Sequence, residues 1–153
     1  MNNIISQATV EQEIEDAKEY SELYHWIISP IDTEKQKFTV LLQSPIDQEK
    51  YLLEFGFDDY PEKPYLIDFI HPESGERGLA KCFPKSYDSF FHQQILVICH
   101  PCSRKAYQGY SNLHSDWNMT GWQKLAGGMT SLKYILDAIY GRISNKIIYH
   151  GGK

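Results

Sequence analysis

Three groups of residues in this chain could carry chemistry. The first is the run Ile98-Cys99-His100-Pro101-Cys102. A thiolate attacks acyl groups well and leaves well, so a thiol that ends an apolar strand and enters a Pro-containing loop suits a covalent acyl carrier. His100, His114, Arg104 and Lys105 stand nearby in sequence and are expected to lower its pKa. Free cysteine is also among the most buried residue types, so each thiol reads equally as nucleophile or as core. The second group is His114-Ser115-Asp116-Trp117. A His beside an Asp can act as an oriented base or acid; the alternative is a surface loop anchored by Trp117. The third is a set of zinc-type ligands, Cys82, Cys99, His100, Cys102 and His114. Cys99-x-x-Cys102 has ligand spacing, but no second Cys-x-x-Cys or His-x3-5-His follows, so the zinc signal is weak.

Other motifs read as structural. Pro61 and Pro64 in Asp58-Asp59-Tyr60-Pro61-Glu62-Lys63-Pro64 restrict the chain between two strands and fix their angle. His71-Pro72 reads as a turn. Gly151-Gly152-Lys153 reads as a frayed terminus.

Composition sets the wider frame. A length of 153 residues predicts one domain with a core that needs no disulfide staple. The net charge of −5 argues against nucleic acid as the main partner, because phosphate binding needs a basic stripe. Apolar runs such as 95–98 are too short to span a membrane, so no membrane partner is expected. Three cysteines form no complete disulfide framework, and the first residues lack a signal-peptide pattern. Reduced thiols in a cytoplasmic protein are therefore expected. No cofactor is implied.

The elements that must position these residues read as α+β. A helix is expected over 9–24, with Thr9 and Gln12 as a capping box and Val10, Ile14, Ala17 and Tyr24 as its apolar stripe. Four strands should follow in an antiparallel meander. They cover 25–29, alternation at Phe38, Val40 and Leu42, alternation at Tyr51, Leu53 and Phe55, and 65–70. Residues 71–91 should be irregular, 95–98 a short buried strand, and 100–128 a long loop with short helical turns, a length that usually signals function. A closing helix is predicted with Thr130 as N-cap, Leu132, Ile135, Leu136, Ile139 and Ile143 on its buried face, and Asn145 at its end.

This order of pieces resembles the ubiquitin-conjugating enzymes, in particular their divergent bacterial relatives in antiphage defence operons. The resemblance covers most of the chain. Phe55-Gly-Phe-Asp-Asp-Tyr60-Pro61-Glu-Lys-Pro64 looks like that family's strand-Tyr-Pro-x-x-Pro-strand junction. Ile98-Cys99 looks like its Ile-Cys pair, and Gly121-Trp122 with the 130–143 helix like its Trp-containing loop and following helix. The resemblance implies a ubiquitin-conjugating-enzyme-like fold. It also implies a cysteine that accepts a ubiquitin-like modifier protein from an activating enzyme as a thioester and passes it to an amine of a protein substrate. Cys99 is then the first choice as nucleophile and Cys102 the second. The family's His-Pro-Asn is represented only by His71-Pro72-Glu73, nearer in spacing to Cys82, which makes Cys82 a third choice. With the Asn missing, His114 is the expected substitute that orients the loop or stabilises developing charge. A catalytically silent relative that binds a ubiquitin-like protein is the alternative, followed by a small zinc protein.

Overall fold

The apolar stripe that opens the chain runs through two helices rather than one. The computed structural model describes residues 3–92, 94–107, 110, 114 and 116–151. Helix α1 is Asn3–Asp16 and α2 is Lys18–Tyr24, with buried Ala17 at their junction. Thr9 is interior to α1 and does not cap it: its hydroxyl donates to the Ile5 carbonyl one turn back, 2.9 Å away. Val10 and Ala17 are fully buried, with Ile14 and Tyr24 packed against the same core, so the predicted stripe holds although the helix starts earlier. The chain leaves α2 through His25 at φ 60°, which swings Trp26 into the core.

A four-stranded antiparallel sheet follows in the order β1 (Ile27–Ile28), β2 (Lys37–Gln43), β3 (Lys50–Gly56), β4 (Leu66–Ile70). Its register places Phe38 opposite Phe55, Val40 opposite Leu53 and Leu42 opposite Tyr51, with Ile67 and Phe69 of β4 continuing the rows. All of these are buried, because period-two alternation puts every one on the same face. Residues 71–90 are irregular apart from a short 3-10 turn, Ala80–Cys82. The expected strand at 95–98 is shorter, β6 (Val97–Ile98), and it pairs with β5 (Phe91–His92) in a separate hairpin. Ile95, expected in the buried strand, is instead exposed in the hairpin turn.

Two short 3-10 turns, Arg104–Ala106 and Met119–Gly121, and helix α3 (Trp122–Leu125) interrupt the expected long loop. Gly127 and Gly128 stop α3 with φ of 66° and 80°, and the Gly128 amide returns to the Gln123 carbonyl at 3.1 Å; side chains disfavour that left-handed backbone. Helix α4 is Leu132–Ile143. Its five predicted inward residues are all fully buried, but its N-cap is Ser131 rather than Thr130, and Ser144 rather than Asn145 ends it. Thr130 instead presents its carbonyl to the Tyr60 hydroxyl.

The tail after α4 also packs. Tyr149 is buried, its hydroxyl 2.5 Å from that of Tyr51 and 2.8 Å from Asp47 Oδ2. The Lys85 amide donates to the Gly151 carbonyl at 2.8 Å, so Gly151 is held, while Gly152 and Lys153 lie outside the described residues. The architecture is therefore mixed α+β: N-terminal helices, a four-stranded antiparallel sheet and a C-terminal helix. Among the described residues no helix is long and apolar enough to cross a membrane.

Candidate functional site

Cys99 leaves β6 at the point where the hairpin ends. Its amide donates to the Phe90 carbonyl at 2.8 Å, which fixes the backbone beneath the thiol. The side chain is half-buried and faces an open surface pocket lined by Asp88, Phe90, His92, Cys99, His114 and Arg142. Three separate segments thus converge on one thiol: the β5–β6 hairpin, the loop carrying His114, and the last turn of α4. Cys99 and His114 line the same pocket.

The electrostatics differ from the sequence expectation. Cys99 is not activated by neighbouring bases; burial, with Asp88 adding to it, pushes its thiol above the usual range. Arg104 and Lys105 do not reach the pocket, because they are spent elsewhere: Arg104 pairs with Asp58, and Lys105 with Asp68. The cation that does line the pocket is Arg142, 43 residues downstream of Cys99 in sequence order and therefore invisible to a local reading. Its Nε donates to Asp88 Oδ2 at 3.1 Å, its Nη1 to the Ala138 carbonyl at 3.1 Å, and its guanidinium lies over the Phe90 ring at 3.9 Å. Charge pairing and stacking together hold it in one place. Asp88, His92 and Arg142 are the ionisable pocket residues that sequence reasoning missed, along with Ser89 and Phe90. His92 is the one with a local signal, since it lies across the hairpin from Val97, two residues before the thiol.

His114 does not form the expected pair with Asp116, which is exposed. It stacks on Trp117 instead, with ring centroids 3.7 Å apart and planes within 5°. Its Nε2 is buried and has no hydrogen-bond partner among the described residues. Trp117 packs against the core as the bland alternative anticipated. Ser115 lies outside the described residues.

Cys102, the second choice as nucleophile, is a core residue with 1% exposure. Its thiol points to the Met129 carbonyl at 3.5 Å, and burial with the nearby Glu13 charge pushes it up to about 12. A buried thiol that high stays protonated and offers no path for an acyl donor. Cys82, the third choice, is half-buried and lines a different pocket with His71, Pro72, Glu73 and Lys81, so the His-Pro-Glu run and Cys82 do meet. His71 is nevertheless occupied structurally: its Nδ1 accepts from the Glu73 amide at 3.1 Å and the Ser74 amide at 3.2 Å. Among the described residues no three His, Cys, Asp or Glu side chains group as metal ligands, which leaves the zinc reading without a site.

His100 serves the loop between Cys99 and Cys102. Its Nδ1 accepts from the Cys102 amide at 3.0 Å, and its ring meets the edge of Phe90 at 6.0 Å. Burial and the Arg142 charge depress it to about 4, so it is a neutral acceptor at neutral pH. Because the native value lies below the unfolded value of 6.5, the stability it confers is complete above 6.5 and is lost as pH falls toward 4. We expect the Tm of the native chain to fall across that window more steeply than that of His100→Asn, which keeps an acceptor but cannot titrate. Thermal melts from pH 7 to pH 4 check this; parallel curves would refute it.

Comparison with known proteins found no matching family model and no matching curated protein.

Proposed function

We propose that this chain is a cysteine-based acyl carrier of the ubiquitin-conjugating type. Cys99 accepts a ubiquitin-like modifier from an activating enzyme as a thioester and transfers it to an amine of a protein substrate. By the same resemblance its setting is the bacterial cytoplasm, in antiphage defence. The observation that carries the reading is the placement of Cys99: a backbone-anchored thiol at a strand end, open to solvent, with His92 and His114 beside it, while Cys102 is sealed in the core.

In the loading step Cys99 Sγ gives its proton to a base, attacks the carbonyl carbon of the donor thioester and forms a new C–S bond. The old C–S bond breaks and the donor thiolate leaves, taking up a proton. His114, whose Nε2 has no hydrogen-bond partner among the described residues, is the pocket group available to take the Cys99 proton, because His92 Nδ1 already accepts from the Ile95 amide. In the transfer step a neutral amine attacks the same carbonyl, forms a C–N bond, loses a proton and expels the Cys99 thiolate. A thiol held above its ordinary value is a poorer leaving group, so the loaded thioester resists stray attack until an acceptor is positioned.

The raised thiols also favour a second reading, a silent relative that only binds a ubiquitin-like protein. Per-cysteine alkylation with iodoacetamide, followed by peptide mass spectrometry across pH, tests whether Cys99 is open to reagents as a carrier needs, and thioester loading of Cys99, which a silent relative would not show, separates the two. The carrier predicts that Cys99 reacts faster than Cys102 at every pH and that its rate keeps climbing past the pH at which a free thiol levels off. Cys99 as inert as Cys102 would sink the carrier, and Cys82 as the one fast thiol would move the nucleophile to the His71 pocket.

A further inference from the structure

Glu13 is an acidic side chain in the last turn of α1 that the carrier chemistry does not use. It sits where α1, the 57–65 turn and the start of α4 meet. Its Oε2 accepts from the Tyr60 hydroxyl at 2.6 Å, and its Oε1 accepts from the Tyr65 hydroxyl at 2.9 Å and from the Leu132 amide at 2.8 Å. Leu132 is the first residue of α4, so the carboxylate caps the positive end of that helix. Tyr60 and Tyr65 stack at 3.9 Å, and the Ser6 hydroxyl donates to the Tyr60 carbonyl at 2.5 Å, a second tie between α1 and the turn.

The ionisable groups that face Glu13 are Asp16 on its own helix, Tyr60 and Tyr65 from the turn and the approach to β4, and Cys102 from the loop after β6. From the start of α4 it meets only the Leu132 amide. Among the described residues no cation pairs with it. The cluster has a place to put one more proton. The Tyr60 hydroxyl lies 3.1 Å from the Thr130 carbonyl as well as 2.6 Å from Glu13. When Glu13 Oε2 carries a proton it can donate to the Tyr60 oxygen, and the Tyr60 hydrogen turns to Thr130. Tyr65 and the Leu132 amide continue to donate to Oε1. The carboxyl, both tyrosine hydroxyls and the Leu132 amide keep a partner in either state, but the ionised state takes the Tyr60 hydrogen away from the Thr130 carbonyl and holds a charge out of water with no cation beside it among the described residues.

We propose that Glu13 is a proton-operated latch between α1 and the start of α4, closed by protonation and loosened by ionisation, with Thr130 as the acceptor that makes the exchange possible. This inference does not depend on the carrier reading. Burial, which outweighs the three hydrogen bonds, raises the carboxyl above its ordinary 4.5. The proton therefore binds the folded chain more tightly than the unfolded one. The stabilisation is complete below 4.5 and is lost as pH rises through the native value, a slope opposite in sign to that of His100.

The test is a 13C-carboxyl NMR titration of the native chain labelled at glutamate Cδ, with Glu13 assigned through bonds. Glu13 is expected to titrate at higher pH than the solvent-exposed glutamates. Tyr60→Phe removes one donor to the ionised form and should move that midpoint further up. Glu13→Gln retains the acceptor for Tyr65 and Leu132 and donates to Tyr60, so the Tm of the native chain relative to Glu13→Gln should fall as pH rises through the midpoint. Hydrogen exchange of the Leu132 amide, corrected for intrinsic rate, should quicken over the same range in the native chain only. A Glu13 midpoint at or below that of the exposed glutamates would overturn the latch, even if neither variant folds. So would a Tm difference or Leu132 protection that does not change with pH.

Discussion

Cys99→Ala is expected to abolish thioester formation, while Cys102→Ala leaves it intact. The probe is a ubiquitin-like protein carrying a C-terminal small-thiol thioester, which bypasses the activating enzyme; the readout is a band sensitive to reducing agent. The expectation follows from where the two thiols sit. Cys99 opens on the pocket with His92, His114 and Arg142, whereas Cys102 is 1% exposed and aimed at the Met129 carbonyl. Removing Cys102 should therefore cost packing only, about 1 kcal/mol for the loss of one small buried group. Loading that survives Cys99→Ala and disappears with Cys82→Ala would transfer the role to the His71 pocket.

Arg104→Ala is expected to give the largest loss of stability of any surface-charge-type residue in the chain. Arg104 is 2% exposed. Its Nε donates to the Pro64 carbonyl at 2.9 Å, Nη1 to Asp58 Oδ2 at 3.1 Å and Nη2 to the Asp58 carbonyl at 2.5 Å. Its own amide donates to the Tyr65 carbonyl at 2.9 Å. One side chain thus ties the loop after the cysteines to the Tyr60-Pro61 turn. Truncation strands the Pro64 carbonyl in the interior and removes a charge-assisted fork from the part-buried Asp58 carbonyl and its exposed carboxylate. Losing hydrogen bonds from a charged group and leaving one buried acceptor unpaired costs about 2–3 kcal/mol, roughly a 5–10 °C fall in Tm for a domain of this size. Arg104→Lys should recover little, because one ammonium cannot reproduce a planar fork across three acceptors. Denaturant melts of both variants check this, and a Lys variant as stable as the native chain would show that charge alone matters. Because the loop continues back to Cys99, the same variant should also slow loading.

The two residues teach different things about what sequence can say. Arg104 read locally as a cation beside a cysteine. In the fold it faces the 57–65 turn, forty or more residues upstream, and has no contact with the Cys99 pocket. The cation that reaches that pocket is Arg142, from the opposite end of α4's sequence. Likewise His114 and Asp116 read as a pair, yet an aromatic neighbour, Trp117, takes the imidazole face instead. Helix boundaries failed in a similar way: Thr9 has the right chemistry for a cap, but the helix continues upstream through Ser6, whose hydroxyl is held by the Tyr60 carbonyl. The Tyr-Pro-x-x-Pro turn was legible as structural, but what it positions was not. Trp122 Nε1 donates to the Pro61 and Glu62 carbonyls at 3.0 and 3.2 Å, and Tyr60 bonds Glu13, so the turn is the hub of the core's polar contacts.

What the sequence by itself determined is periodic: the four antiparallel strands, their buried faces and the inward residues of α4. Those follow from local alternation and from the 3.6-residue repeat, which need no knowledge of distant partners. What only the tertiary structure decided is which thiol is open and which is sealed, and which charges reach it. Cys99 and Cys102 are three residues apart and chemically identical as text. They differ because Met129, Tyr60 and Glu13 close over one, while the hairpin and the end of α4 leave a gap beside the other. Desolvation and charge proximity act through space, and a one-dimensional reading holds no distance in space.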